Sequence, residues 1–571
     1  MKIYEGIICN RLVTFLDKKC FFSPLQAAYR KRRSTADHIF VIHELFLEYR
    51  YNKVGPRGGK VRIPLYFCFL DLRKAFDTVP RHLLFSKLYN AGIRGKMLRV
   101  IQDLFSSNLA NVLIDEFLSP DFIINRGVLQ GSKLGPILFN IFINDLLDEL
   151  VGTGLGACIG PIKIPALGFA DDIVLITDDP KKLQTLIGVC QTWANRNGMS
   201  FNTSKCKVMI FNGPMNDPTF TLNCEVLKIA WTYKYLGILL SSKYITNLFR
   251  QHYADIVERA NIKASIIRRH GFHEDGFSLY TAIRLYKIVI RPVLEYCAQT
   301  LTYSRYCQQP SLAEAGFVRK LEHLQTQILK KLINCPRAVS PATVRLFCGV
   351  EPLACRFELL KVRYFWRILR GTPGTLPHRL LEYRRANLLN FNRGFAHEVF
   401  GICNKYHVLH LWNGDAGNVK NPLRAIKRVI ISQNLTRDLR HARTKGCAFA
   451  ALFLSDPRRY TRNYHLPEIF CGLDRFGTPN ARKRVLKALL HPCSYEEDCS
   501  LCGQVYKDKL THYMAACPRI GDYRTQLLLK FRLYGFPVHR FPMKKIDFLG
   551  LVLWHDTWGK CFAKFLADTD F

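Results

Sequence analysis

The stretch IPALGFADDIVLIT, residues 164–177, sets two neighbouring carboxylates, Asp171 and Asp172, between apolar runs of β-forming residues. Apolar segments on both sides of a charged centre predict a tight β-hairpin whose turn carries both acids. Adjacent carboxylates repel, and each raises the other's pKa unless a cation sits between them and nearby oxygens. No basic residue stands beside them until Lys181. A hard divalent cation would answer the repulsion. Mg²⁺ takes oxygen ligands and keeps room for substrate phosphates, so this pair plus one acid from a neighbouring strand would make a two-metal phosphoryl-transfer site. IPLYFCFLDL (63–72), a short run rich in β-formers, predicts a buried strand ending at Asp71, the natural third acid. The plainer reading is a solvated turn, since Asp is common in turns, and on the ADD triplet alone it holds at least equal weight.

Composition narrows the classes. The chain has 571 residues and 48% hydrophobic content, enough for several cores, and argues against disorder. Lys and Arg outnumber Asp and Glu by 83 to 45, a formal charge of +38 that is spread along the chain. A surplus of that size predicts a polyanionic partner, nucleic acid before membrane. Asn140 and Asn144 interrupt PILFNIFINDLL, and Lys163 interrupts the run before the carboxylates, so no span is expected to cross a bilayer. The opening MKIYEGIICNRL has no signal-peptide core, which predicts a protein of nucleus and cytoplasm. In that reducing setting the 20 cysteines read as buried thiols or metal ligands before disulfides.

RGVLQGSKLGPILFNIFINDLLDEL (126–150) opens as a glycine-punctuated loop, after which Pro136 starts a helix apolar on most sides, hence buried. VGTGLGACIGP (151–161) reads as a flexible connector, since no Lys-Ser or Lys-Thr follows to make a phosphate loop. From about 246 to 490 the chain turns helical and basic.

The strings FLDLRKAFDTVPRHLL (69–84), RGVLQGSKLGPILFNIFINDL (126–146) and FADD (169–172) occur in this order. QAAYRKRRSTADHI (26–39) precedes them, and GMSFNTSKCKVMIF (198–211) and YKYLGILL (233–240) follow. Together they resemble the palm motifs of reverse transcriptases, and in detail those of non-LTR retrotransposons of the jockey, CR1 and R1 type. The resemblance implies an α+β right-hand polymerase using template RNA, a DNA primer or target DNA, dNTPs and two Mg²⁺ ions. It implies Asp71 and Asp171 as metal ligands and Asp172 as a supporting acid. Phe76 falls at the steric-gate position, where a ring collides with a ribose 2′-hydroxyl; its plain alternative is a core aromatic. Gln130 and Gly131 match the loop against the template base and incoming nucleotide, and Arg30 a triphosphate contact. Lys205 matches the cation beside the leaving pyrophosphate, with solvated surface as its alternative.

The resemblance divides the chain into partial fingers and palm (1–245), helical thumb and connection (246–340), a basic helical region (341–490), a zinc knuckle (491–520) and a tail (521–571). The RPI-type segment expected before the fingers is absent, which predicts a chain truncated at its start, and no endonuclease precedes the polymerase. LYKIVIRPVLEYCAQTLTYS (285–304) resembles the segment after the thumb. In CSLCGQVYKDKLTHYMAAC (499–517), Cys499, Cys502, His512 and Cys517 have the spacing of a tetrahedral Zn²⁺ site, and a similar cluster follows the polymerase in jockey-like elements. A chance CxxC is the alternative. Against an active polymerase stands a relic or domesticated nucleic-acid-binding protein that keeps the fold without turnover. An intron maturase would show YADD and longer fingers.

Overall fold

The computed structural model describes residues 2–52, 63–106, 108–129, 131–213, 218–243, 247–271, 279–301, 312–333, 335, 339–390, 393–415 and 421–444, with 497–498, 505–506, 519 and 521–533. Packing groups the chain into two compact units. The first joins Met1–His252 to Thr300–Thr302 and Phe365–Glu398; the second joins Tyr253–Gln299, Tyr303–Tyr364 and Val399–Phe571.

The first unit is built on a five-stranded sheet of β1 (Leu65–Leu70), β2 (Ala166–Phe169), β3 (Asp172–Thr177), β4 (Lys207–Phe211) and β5 (Lys228–Ile229), in the order β5-β4-β1-β3-β2. β1 runs antiparallel to both neighbours, and only β5 joins in parallel. All six residues of β1, LYFCFL, are buried. A continuous apolar strand instead of an alternating one is what a central position with both faces covered demands.

The helices follow from burial on one stripe or on all sides. They are α1 (Lys2–Lys18), α2 (Thr35–Leu47), α3 (Gly135–Gly152) and α4 (Pro180–Arg196). In α4, Asp179 caps the first turn by accepting from the Lys182 N–H at 2.9 Å, with Pro180 at the first helical position. α3 begins beside Pro136 and is buried along nearly its whole length. Its two asparagines are anchors. Asn140 Nδ2 donates to the Ala28 carbonyl at 2.8 Å, and Asn144 Oδ1 accepts from the Ser23 N–H at 2.8 Å, so residues 23–28 lie fixed along the helix.

α2 is buried from Ala36 to Leu47 and opens with a capping box between Ser34 and Asp37. Its interior Glu44 and the following Glu48 meet Arg384, at 2.7 and 2.9 Å, from the helix Leu376–Ala386. Residues 365–398 thus complete the first unit around α2.

The predicted glycine-rich connector differs in part. Residues Ala157–Ile159 and Ile162–Ile164 pair as a hairpin, with Gly160 at its turn. A Cβ there would lie 2.2 Å from the Tyr383 ring, so the glycine serves close packing as well as the turn.

The second unit is helical in its described residues up to 444. Two bidentate pairs cross-link it, Arg345 with Asp438 at 2.8 and 2.6 Å and Arg356 with Glu295 at 2.7 and 2.9 Å. No described helix of the chain is long and apolar enough to cross a membrane.

Candidate active site

Three elements carry the acids to one end of the sheet. Leu70 at the end of β1 pairs with Ile173 on β3, and continuing that antiparallel register by one step sets Asp71 across from Asp172. Residues facing one another in this way have Cα atoms about 4.5–5.5 Å apart. Phe169 pairs with Asp172, which leaves Ala170 and Asp171 as the two turn residues. The sequence pattern puts both acids in the turn. The structure instead has Asp172 begin β3, because a two-residue connection closes between Phe169 and Asp172 with Ala170 at a φ of +56°.

The loop after α4 wraps the third acid. The Asn202 N–H donates to the Asp71 carbonyl at 2.7 Å, and the Arg73 N–H to the Ser200 carbonyl at 2.9 Å. The Asp71 N–H donates to Cys206 Sγ at 3.4 Å. Wrapping in this manner sets Lys205 Nζ 3.6 Å from Asp71 Oδ2, on an exposed side chain.

The electrostatics show how closely the acids sit. Withdrawal of the carboxyl from bulk water, and then the charges of Asp171 and Asp71, push Asp172 up to about 6, although part of the side chain stays in contact with solvent. Burial and the Asp71 charge also raise Asp171. Tyr233 stacks on Phe69 with ring centroids 4.0 Å apart, and burial followed by the charges of Asp172 and Asp71 moves its hydroxyl up to about 12.

Among the described residues no group of three His, Cys, Asp or Glu is arranged to hold an ion as it stands. The donor set nonetheless suits a hard divalent cation. It consists of carboxylate oxygens, two of them pushed towards protonation by burial and by their neighbours, with Lys205 beside the third.

The other expected residues lie around this end. Phe76 is half-buried and stacks on Phe139 of α3 at 4.6 Å, so it is both wall and packing. Gly131 has a φ of +82° and nothing within 4 Å of where a Cβ would sit, so positive φ, with open space beside it, is what calls for glycine. Gln130 lies outside the described residues. Glu5 of α1 holds the same loop, accepting from Ser132 Oγ and the Lys133 N–H, each at 2.9 Å. Arg30 is tied locally, its Nη1 donating to the carbonyls of Ser23 and Gln26 at 3.1 and 3.3 Å and its guanidinium over the Phe22 ring. Burial, then Arg33, lowers its pKa to about 10. Cys499, Cys502, His512 and Cys517 lie outside the described residues, whereas the strands flanking the first two, Glu497–Asp498 and Val505–Tyr506, pair antiparallel.

Sequence reasoning does not single out Gln26, Cys206, Tyr233 or His38. Gln26 and His38 stand inside QAAYRKRRSTADHI, Cys206 in SKCK and Tyr233 in YKYLG, strings that read as motifs without marking these positions.

Residues 1–240 match the family model described as "Reverse transcriptase (RNA-dependent DNA polymerase)". Over that segment the chain is similar to the reverse transcriptases. The chain is 25% identical over 386 residues to the "RNA-directed DNA polymerase from mobile element jockey" of Drosophila funebris, covering 66% of this chain and 39% of that one. It is 31% identical over 183 residues to the "Retrovirus-related Pol polyprotein from type-1 retrotransposable element R2" of Popillia japonica, covering 30% of each. Both relatives are named for mobile elements, in keeping with the non-LTR resemblance of the motifs. The chain spans about two fifths of the length of the jockey relative.

Proposed function

We propose that the chain is an RNA-directed DNA polymerase that extends a DNA 3′-hydroxyl on an RNA template, using dNTPs and two Mg²⁺ ions. The observation that carries this reading is the convergence of Asp71, Asp171 and Asp172 at one end of three antiparallel strands. Asp71 and Asp171 would hold the ions, with Asp172 in support. Bound there, the ions supply charge neutralisation at the phosphoryl oxygens and a more acidic primer hydroxyl.

The protein's own groups do the positioning. Lys205, beside Asp71, brings positive charge and a proton to the leaving pyrophosphate. Phe76, braced on Phe139, excludes a ribose 2′-hydroxyl by collision. Gln130 and Gly131 line the template base and incoming nucleotide. Arg30 reaches the triphosphate with the guanidinium donors that its bonds to Ser23 and Gln26 leave over. Residues 246–340 act as a thumb that follows the template–primer duplex through its phosphates.

Cys499, Cys502, His512 and Cys517 hold one structural Zn²⁺ in a knuckle that grips RNA or target DNA. Their spacing supports this, as does the pairing of Glu497–Asp498 with Val505–Tyr506 around the CxxC.

Primer extension by the purified chain on an RNA template with Mg²⁺ tests the central reading. The parent should extend the primer. Asp171→Asn should abolish extension while duplex binding stays near parental, and undiminished extension by that variant would overturn the reading.

A further inference from the structure

Between the acid-bearing turn and residues 23–30 lies a side chain to which the polymerase reading assigns no part. Gln26 is 1% exposed, and its Oε1 accepts two backbone bonds, from the Ala28 and Ala170 N–H groups, each at 3.0 Å. Ala170 immediately precedes Asp171 and holds the left-handed φ of +56°, a conformation that a residue with a Cβ keeps only when its surroundings hold it there. The backbone beside it is tied to the same segment. The Ala27 N–H donates to the Gly168 carbonyl and the Gly168 N–H to the Leu25 carbonyl, both at 3.1 Å.

Folding alone does not account for this glutamine. Its Nε2 is buried and donates to nothing among the described residues, an unmet donor that an aliphatic side chain of similar size would not carry. What only the amide oxygen supplies is the pair of bonds to Ala28 and Ala170, of which the second reaches the acid-bearing turn. The same residue is linked outward, because Arg30 Nη1 donates to its carbonyl at 3.3 Å and α3 fixes the segment through Asn140 and Asn144.

We propose that Gln26 is a positioning residue for the acids: by holding the Ala170 N–H it fixes the turn, and with it the direction of the Asp171 carboxylate. The inference rests on the polymerase reading. It adds a residue from the segment ahead of the palm that acts through backbone alone and touches neither metal nor nucleotide.

Gln26→Leu in the full chain removes the acceptor and the unmet donor together while keeping apolar volume. Hydrogen exchange should show the Ala170 amide losing protection by about tenfold or more, with the amides of β1 unchanged. Mn²⁺ binding to the metal-free chain should weaken by about tenfold, and kcat for primer extension should fall by up to about 10²-fold at saturating primer–template, the scale of a 1 Å misplacement. Adding Ala170→Gly, which takes positive φ without strain, should restore part of the Mn²⁺ affinity in the Gln26→Leu chain and should not raise it in the parent. Gln26→Met carries the same expectations and serves if the leucine variant does not fold. Parental exchange at Ala170, or lost protection spread over the whole sheet, would overturn the inference. So would a parent that binds Mn²⁺ and extends primers with a variant that matches it, whereas a parent that does neither fails the polymerase reading and the inference with it.

Discussion

Phe76 and His38 show what single side chains contribute at this end of the sheet. Because Phe76 excludes by collision, Phe76→Val should admit ribonucleotides with little loss of dNTP use. Its stacking on Phe139 adds a stability cost of about 1–3 kcal/mol, read by urea unfolding. Unchanged discrimination would place the gate elsewhere. His38 is buried, with Nδ1 2.9 Å from the Tyr235 hydroxyl, and burial drives its pKa down to about 3 despite a bond to the Leu25 backbone. The unfolded chain takes a proton on this ring near pH 6.5 and the folded one does not until about 3, so the unfolded state binds more protons across that window. Stability is therefore full above 6.5 and is lost as pH falls, by up to about 1.4 kcal/mol per unit. Melting temperatures from pH 7 to 4 should fall less steeply for His38→Gln than for the parent.

Elements divide into those legible from sequence and those set by distant partners. The Leu65–Leu70 strand and the helix after Pro136 can be read because an unbroken apolar run has few alternatives to burial. The hairpin can be read as well, but not which acid turns the corner, since the choice lies in the Phe169–Asp172 pairing and not in any residue type. Asn140 and Asn144 are legible only as interruptions of an apolar run; that they hold residues 23–28 depends on a segment over a hundred residues away. The partner of α2 is hidden for the same reason. Glu44 and Glu48 give no sign that Arg384, more than 300 residues on, neutralises them. Removing one partner of a buried pair strands the other charge, so Arg384→Met should destabilise the first unit by about 3–5 kcal/mol. Denaturant unfolding followed by the fluorescence of Trp193, which is wholly buried in that unit, would register it.

At the scale of the whole molecule, the proposed knuckle and the split first unit make separate claims. If Cys499, Cys502, His512 and Cys517 bind Zn²⁺, metal analysis should give about one zinc per chain. Cys502→Ser should then weaken nucleic-acid binding more than it slows extension on saturating primer–template, because a segment of some twenty residues needs the metal to hold its shape. No zinc, with a parental Cys502→Ser, would leave a chance CxxC.

The first unit is closed by Phe365–Glu398, well beyond the span matched to the family. On a ribosome that order has a cost in time. α2 emerges with Glu44 on it and Glu48 just after it, yet their guanidinium partner is not synthesised until roughly 340 residues later. At about 5–20 residues per second, the two carboxylates wait some 17–70 s for their partner, whereas His38 on the same helix meets Tyr235 much sooner. Through that interval Glu44 and Glu48 stand without Arg384, and a slower rate of translation lengthens the wait instead of easing the folding.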